Sequence, residues 1–200
     1  MPRWMLILLV LALGYGAMHA WEQRELTQPP GILAPDAPVQ ENLGTDSHVL
    51  RRGDVTLTPR ARFSLTARVL SRDDYTLGPD AKLIPEDLAL GWGRMSDSAV
   101  LASIRITQSD RFYYWHVKTF PIPRREIEVS SANMHLIPAD AGVKHNLEQI
   151  RRGQLVHLDG YLVDASRTNG WLWKTSMTRE DVGAGACELI YVESAETVTR

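Results

Sequence analysis

The chain has 200 residues and a formal net charge of −2, with 44% apolar and 23% charged residues, which fits one domain and excludes a disordered or fibrous chain. The near-neutral balance excludes a protein that coats nucleic acid, which needs a basic field. The one cysteine, Cys187, excludes an intrachain disulfide and a multi-cysteine zinc site.

Residues 4–21 carry no charged side chain. As a helix these 18 residues rise roughly 27 Å, close to the ~30 Å of a bilayer core. Trp4, Tyr15 and Trp21 suit the two interfaces, and Arg3 favours a cytoplasmic N-terminus. The expectation is a transmembrane signal-anchor over residues 1–21, touching the bilayer through residues 4–21. The alternative is a signal peptide cleaved after Ala17 or Ala20, leaving a secreted or periplasmic protein. Tyr15 and Met18 are poor residues for the −3 position of those cleavages. Residues 22–53 hold Pro29, Pro30, Pro35 and Pro38 and read as an extended, Pro-rich linker.

Residues 54–200 read as a β-rich domain. Phe63, Leu65, Ala67 and Val69 alternate with polar residues as a half-buried strand does. Asp73-Asp74 and Gly78-Pro79-Asp80 mark turns. Residues 85–90 carry a short-helix signal: proline, then acids, then Leu88 and Leu90. Ser96 or Asp97 caps a second short helix carrying Val100, Leu101 and Ile104. Residues 104–107 and 111–118 are strand-prone, and residues 124–129 read as a further strand. Residues 130–138 read as a loop. From Asp140, the spacing of Val143, Leu147 and Ile150 predicts the main helix, stopped by Gly153. Residues 155–165 and 171–177 read as strands joined through Arg167-Thr168-Asn169-Gly170, and residues 186–192 as the last strand. The class is α+β, β-rich. The candidate architectures are a small OB-like barrel and a twisted antiparallel sheet with one main helix, preceded by the transmembrane helix.

No motif specifies a reaction. Cys187 is the candidate nucleophile, with His157 as base, Asp159 on the same strand face as its orienter, and His135 as a second candidate. Cys187 enters an apolar strand, however, where a lone cysteine is usually a small buried hydrophobe. His116 and His145 show no ligand spacing, so no metal is expected. No nucleotide loop occurs and no cofactor is expected. Residues 175–185 are dense in polar groups and glycine. There Arg179, Asp181, Gly183 and Gly185 are candidate ligand-binding residues, either as an anion-binding turn or as an ordinary connection. Among the aromatics, Trp171 and Trp173 share a strand face, and Trp92, between two glycines, is the one expected to be exposed.

Three segments carry a resemblance: Leu90-Gly-Trp-Gly-Arg-Met-Ser-Asp97, Ser131-Ala-Asn-Met-His-Leu-Ile-Pro138 and Thr175-Ser-Met-Thr-Arg-Glu-Asp-Val-Gly-Ala-Gly-Ala-Cys-Glu188. With the N-terminal run and the linker, the chain resembles an uncharacterised group of single-span envelope proteins of Gram-negative bacteria. That resemblance implies an inner-membrane, single-pass protein with a periplasmic C-terminal domain, and implies no catalytic residues. The functional expectation is a binding or interaction domain with an envelope protein partner. The alternatives are a hydrolase or transferase using Cys187 and an OB-like binder of oligonucleotide or oligosaccharide. Nucleic acid is disfavoured because residues 21–200 hold 21 Lys and Arg against 24 Asp and Glu, a balance of −3.

Overall fold

Alternation of small and large apolar residues against polar ones carries one strand through 20 residues, Val55–Asp74. Its inward side chains, Ala61, Phe63, Leu65, Ala67 and Val69, seed the main core. The computed structural model describes residues 2–22, 24–44, 48–183 and 185–199. In chain order its elements are α1 (Arg3–Glu22), β1 (Val39–Asn42), β2 (Leu50–Arg52), β3 (Val55–Asp74), β4 (Glu86–Gly91), a 3-10 turn (Gly93–Ser96), α2 (Ser98–Leu101), β5 (Ile104–Ser109), β6 (Phe112–Val117), α3 (Arg124–Val129), β7 (Ser131–Pro138), α4 (Ala141–Glu148), β8 (Leu155–Ser166), β9 (Leu172–Trp173) and β10 (Glu188–Val198).

The pairing closes on itself. β3 pairs with β4, β4 with β7, β7 in parallel with β10, β10 with β8, and β8 back with β3. β1 and β2 add to β3, and β9 adds to β8, making one large mixed sheet. β5 and β6 form a separate hairpin. The fold is therefore β-rich α+β with few helices, and its sheet is mixed rather than purely antiparallel. β3 is long enough to serve two neighbours because it bends at register shifts between Pro59 and Ala61 and between Val69 and Ser71. Proline lacks a ladder donor, so a bulge is where β3 tolerates it.

α4 forms where its spacing requires. The Asp140 carboxylate accepts from the Gly142 and Val143 backbone N–H groups at 2.7 and 2.9 Å, a cap worth about 1 kcal/mol. Val143, Leu147 and Ile150 then join the side chains from inside the strand ring. Burying each contributes roughly 1.5–3 kcal/mol. α2 likewise has Asp97 as its cap, accepting from Ala99 N–H at 2.8 Å.

Four segments differ from their sequence patterns. Residues 85–90 lie in a strand, not a helix, because β4 is covered on both faces and so loses the alternation that marks a half-buried strand. β7 is buried from Ser131 to Ile137 for the same reason, where a loop was expected. α3 is a helical turn rather than a strand: Pro123 starts it, Ile127 is buried, and Arg124 pairs with Glu128 at i,i+4. Of residues 171–177 only β9 pairs.

Among the described residues no helix is long and apolar enough to cross a membrane. This corrects the transmembrane anchor expected over residues 4–21 and the single-pass inner-membrane placement built on it. α1 has a strongly apolar stretch of only ten residues, 4–13, before Gly14, Tyr15, Gly16 and His19 dilute it. Ten helical residues rise about 15 Å, half a bilayer core. The proline-rich segment after α1 is extended but seated on the ring. Leu33 and Ala34 are buried against Leu155, and the Leu26 N–H donates to the Arg152 carbonyl at 2.8 Å. Gly153, at φ +87, allows this approach: a Cβ there would run into the Leu26 carbonyl.

Candidate functional site

The β5–β6 hairpin lies on the outer faces of β4 and β7. Ile104 and Ile106 pack there with Leu70, Ala89, Met95, Ile122 and Ile127. The hairpin turn places Asp110 and Arg111 at φ 53 and 69, a left-handed conformation that costs L-residues energy. Arg111 turns that geometry into a clamp. Its guanidinium donates to Asp87 Oδ1 at 3.0 Å and to the Ile84 carbonyl at 3.1 Å, and covers the Tyr75 ring at 3.4 Å. The Tyr75 hydroxyl reaches Asp73 Oδ2 at 2.8 Å and Asp87 Oδ2 at 3.1 Å. Burial, then the Asp87 charge, push that hydroxyl well above its ordinary pKa. His135 stands directly across the β4–β7 ladder from Asp87, with Nδ1 2.9 Å from Asp87 Oδ1 and its ring edge-on to Trp173 at 4.8 Å. Asp87, with no exposure, thus has Arg111, Tyr75 and His135 around it.

Next to this clamp a cleft of about 330 Å³ opens between β6, the start of β7 and the loop leading into β10. Phe112, Tyr114 and Val182 stand at its mouth, 38%, 53% and 62% exposed. Trp92, Tyr113 and Trp115 line it further in, with Ser131, Asn133 and Cys187. The Tyr113 hydroxyl lies 2.9 Å from Ser131 Oγ, and burial pushes its pKa up to about 12.

The cleft also reaches Arg179 and Glu188, paired at 2.8 Å. Glu188 opens β10 and shares a strand face with Ile190 and Val192, so its carboxylate points into the ring. It is 1% exposed. Burial raises its pKa to about 8 against the downward pull of Arg179. Arg179 lies over the Phe63 ring at 5.6 Å. Glu188 Oε2 and Arg179 Nε and Nη1 have no hydrogen-bond partner among the described residues. The other carboxylates of the lining are engaged: Glu128 by Arg124 and Arg125, Asp181 by the Ser176 hydroxyl at 2.8 Å.

Of the expected ligand-binding residues, Trp92, Arg179, Asp181 and Gly183 line this cleft, and Gly185 does not. Gly183 and Gly185 both take positive φ, 88 and 92. Trp92 is 3% exposed, against the expectation of an exposed ring. The Trp92 N–H donates to the Ser130 carbonyl, and the side chain packs into the main core. Trp171 and Trp173 pack partly buried on the second core.

The expected nucleophile group is dispersed. Cys187 neighbours Asn133, and burial, followed by the Glu188 and Asp87 charges, pushes its thiol up to about 12. His157 and Asp159 do share a face and meet at 2.8 Å, and Thr66 Oγ1 lies 2.8 Å from His157 Nδ1. That group sits on β8 opposite Glu196, nine residues along β10 from Cys187, roughly 30 Å of strand contour. His135 is inside the Asp87 clamp. Among the described residues no group of three or more His, Cys, Asp or Glu could hold a metal ion.

Sequence reasoning missed Glu188 and Asn133. The available signal was a glutamate heading an apolar run, Glu188-Leu-Ile-Tyr-Val192, where a charge must find a partner. Compared with known proteins, the chain matches no family model, no curated protein and no solved structure.

Proposed function

We propose that this domain is a binding module that takes its ligand in the cleft between the β5–β6 hairpin and the loop before β10, and that it works by holding rather than by chemistry. The observation that carries this reading is the unsaturated ion pair. Each buried polar atom without a partner costs about 1–3 kcal/mol. Arg179 and Glu188 carry three such atoms beside a cleft whose mouth exposes Phe112, Tyr114 and Val182. Apolar surface gathered around a few unsatisfied polar groups is the usual composition of a ligand site.

The covering hairpin supports the same location. Read as a barrel of the OB type, the ring would bind ligands across its second and third strands, here β4 and β7. The hairpin occupies that face, which leaves the rim beside it. An oligonucleotide finds little there. The lining offers three carboxylates to one guanidinium, and Arg124 and Arg125 are tied to Glu128 and Glu180, Arg152 to Glu25. The Cys187 nucleophile reading has less support, because its thiol is held protonated and Asn133 is no base.

The test is a titration of the isotope-labelled full chain with small probes of several classes, indole, p-cresol and glycerol among them, followed by NMR. The expected result is saturable shifts at the Trp92 and Trp115 indole N–H groups and at the Arg179 and Cys187 amides. Shifts scattered over the surface, or none, overturn the reading.

A further inference from the structure

We infer that the ligand of this cleft is a neutral polyhydroxylated molecule, a saccharide, that rests a ring face on Tyr114 and directs hydroxyls at the Arg179–Glu188 pair. This rests on the cleft being the binding site and adds the chemical class of what enters it.

A cationic ligand seeks free aromatic faces and uncompensated carboxylates. Here Arg124 already lies over the Trp115 ring at 5.7 Å, and Glu128, Asp181 and Glu188 each have a donor from the chain, so a cation is left only the outer rings of Phe112 and Tyr114, away from any uncompensated carboxylate. An anionic ligand meets those three carboxylates and a single guanidinium that is already paired. A purely apolar ligand leaves the buried donors and acceptor of the pair unanswered.

What remains unanswered is specific. Two guanidinium nitrogens and one carboxyl oxygen stand together without partners among the described residues. A hydroxyl is the side group that both donates and accepts. These atoms are buried in the ligand-free chain, so the partly exposed Arg179 side chain shifts toward the cleft for two neighbouring hydroxyls to accept from Arg179 and donate to Glu188, directly or through a bridging water. Protonation of Glu188, favoured by its burial, leaves it still able to accept and adds a donor.

The mouth supplies the other half of saccharide recognition. A sugar ring has one polar edge and one face of C–H groups, whose slight positive charge suits the negative face of an aromatic ring. Tyr114 and Phe112, two residues apart on β6, present such rings at the rim, on the strand face opposite to Tyr113 and Trp115. The volume, about 330 Å³, is at the small end of ligand pockets, roughly 300–1,000 Å³. It suits one or two sugar rings inside and the rest of a chain outside.

The experiment titrates the labelled full chain with maltotriose, cellotriose and chitotriose, and in parallel with tetramethylammonium, inorganic phosphate and p-cresol. At least one trisaccharide is expected to shift the Trp92 and Trp115 indole signals saturably. Arg179→Gln is expected to weaken that binding about tenfold, the worth of one charged hydrogen bond. Tyr114→Ala, on a half-exposed side chain whose loss leaves the core intact, is expected to weaken it to a similar degree. If p-cresol, phosphate or tetramethylammonium shifts these signals and no trisaccharide does, the saccharide assignment fails while the cleft remains a binding site. If no probe shifts them, both fail. Sugar binding unchanged in Tyr114→Ala also overturns the assignment.

Discussion

Asp87 and Glu188 both put charge into the wall of the strand ring, and their surroundings are built differently. At Asp87 on β4 the carboxylate is surrounded by Arg111, Tyr75 and His135, so both of its oxygens are used. At Glu188 on β10 the carboxylate meets Arg179 through one oxygen, and three atoms of the pair go unpartnered. The first arrangement holds the hairpin to the ring with both carboxylate oxygens engaged, and among the described residues its one buried atom without a hydrogen bond is His135 Nδ1 on the neighbouring ring. The second has capacity left beside an open cleft. What separates the two is the carboxylate itself, both oxygens bonded at Asp87 and one left over at Glu188, since burial is the same at both.

The largest expected effect is at the saturated site. Asp87→Ala strips Arg111 of its partner in a mostly buried setting and leaves Tyr75 and His135 facing a void. The expected loss is about 3 kcal/mol of stability, read from urea denaturation. A loss below ~1 kcal/mol breaks the comparison, because it means the clamp holds little. Arg179→Met costs less, about 1–2 kcal/mol, because the orphaned Glu188 can take up a proton instead of staying charged. A loss as large as that of Asp87→Ala would show the two sites to be equally structural.

Titration sharpens the difference further. Burial lifts Glu188 to about 8 from an ordinary 4.5, so the folded chain keeps a proton that the unfolded chain has released. Between about pH 5 and pH 8 the folded state binds more protons, and stability therefore falls as pH rises. Glu86, lifted to about 7 by burial despite Arg72, acts in the same direction over the lower part of that window. Glu188→Gln is expected to flatten the slope, most clearly between pH 7 and 8, in denaturation curves taken at each pH. An unchanged slope means that Arg179 keeps Glu188 ionised.

Legibility in the sequence followed how local the cause was. α4 could be read because its cap at Asp140 and its stripe at Val143, Leu147 and Ile150 are all within eleven residues. The β5–β6 hairpin could be read because Ile104 and Ile106 alternate with polar residues and a β-prone aromatic run, Phe112 to Trp115, follows a short polar turn. β4 and β7 could not, since the hairpin that covers their outer faces creates the two-sided burial that erases alternation. The partner of Glu188 lies nine residues back across a loop, a distance no local pattern reports. The 4–21 run misled because absence of charge is not apolarity: Gly14, Tyr15, Gly16 and His19 interrupt its second half.

The smallest effect belongs to Cys187, and it tests which side of the comparison the cleft wall falls on. Its thiol lines the cleft, so access alone would permit reaction. Reactivity follows the thiolate fraction, and burial beside Glu188 and Asp87 holds the pKa up at about 12. At pH 7.5 the thiolate fraction is then thousands of times below that of an exposed cysteine. Iodoacetamide labelling of the native chain is expected to be far slower than labelling in urea. Cys187→Ser is expected to shift stability by less than about 1 kcal/mol, because Asn133 can bond a hydroxyl as well as a thiol. Fast native labelling would mean that burial does not hold the thiol protonated, and would put this wall of the cleft on the open side of the comparison.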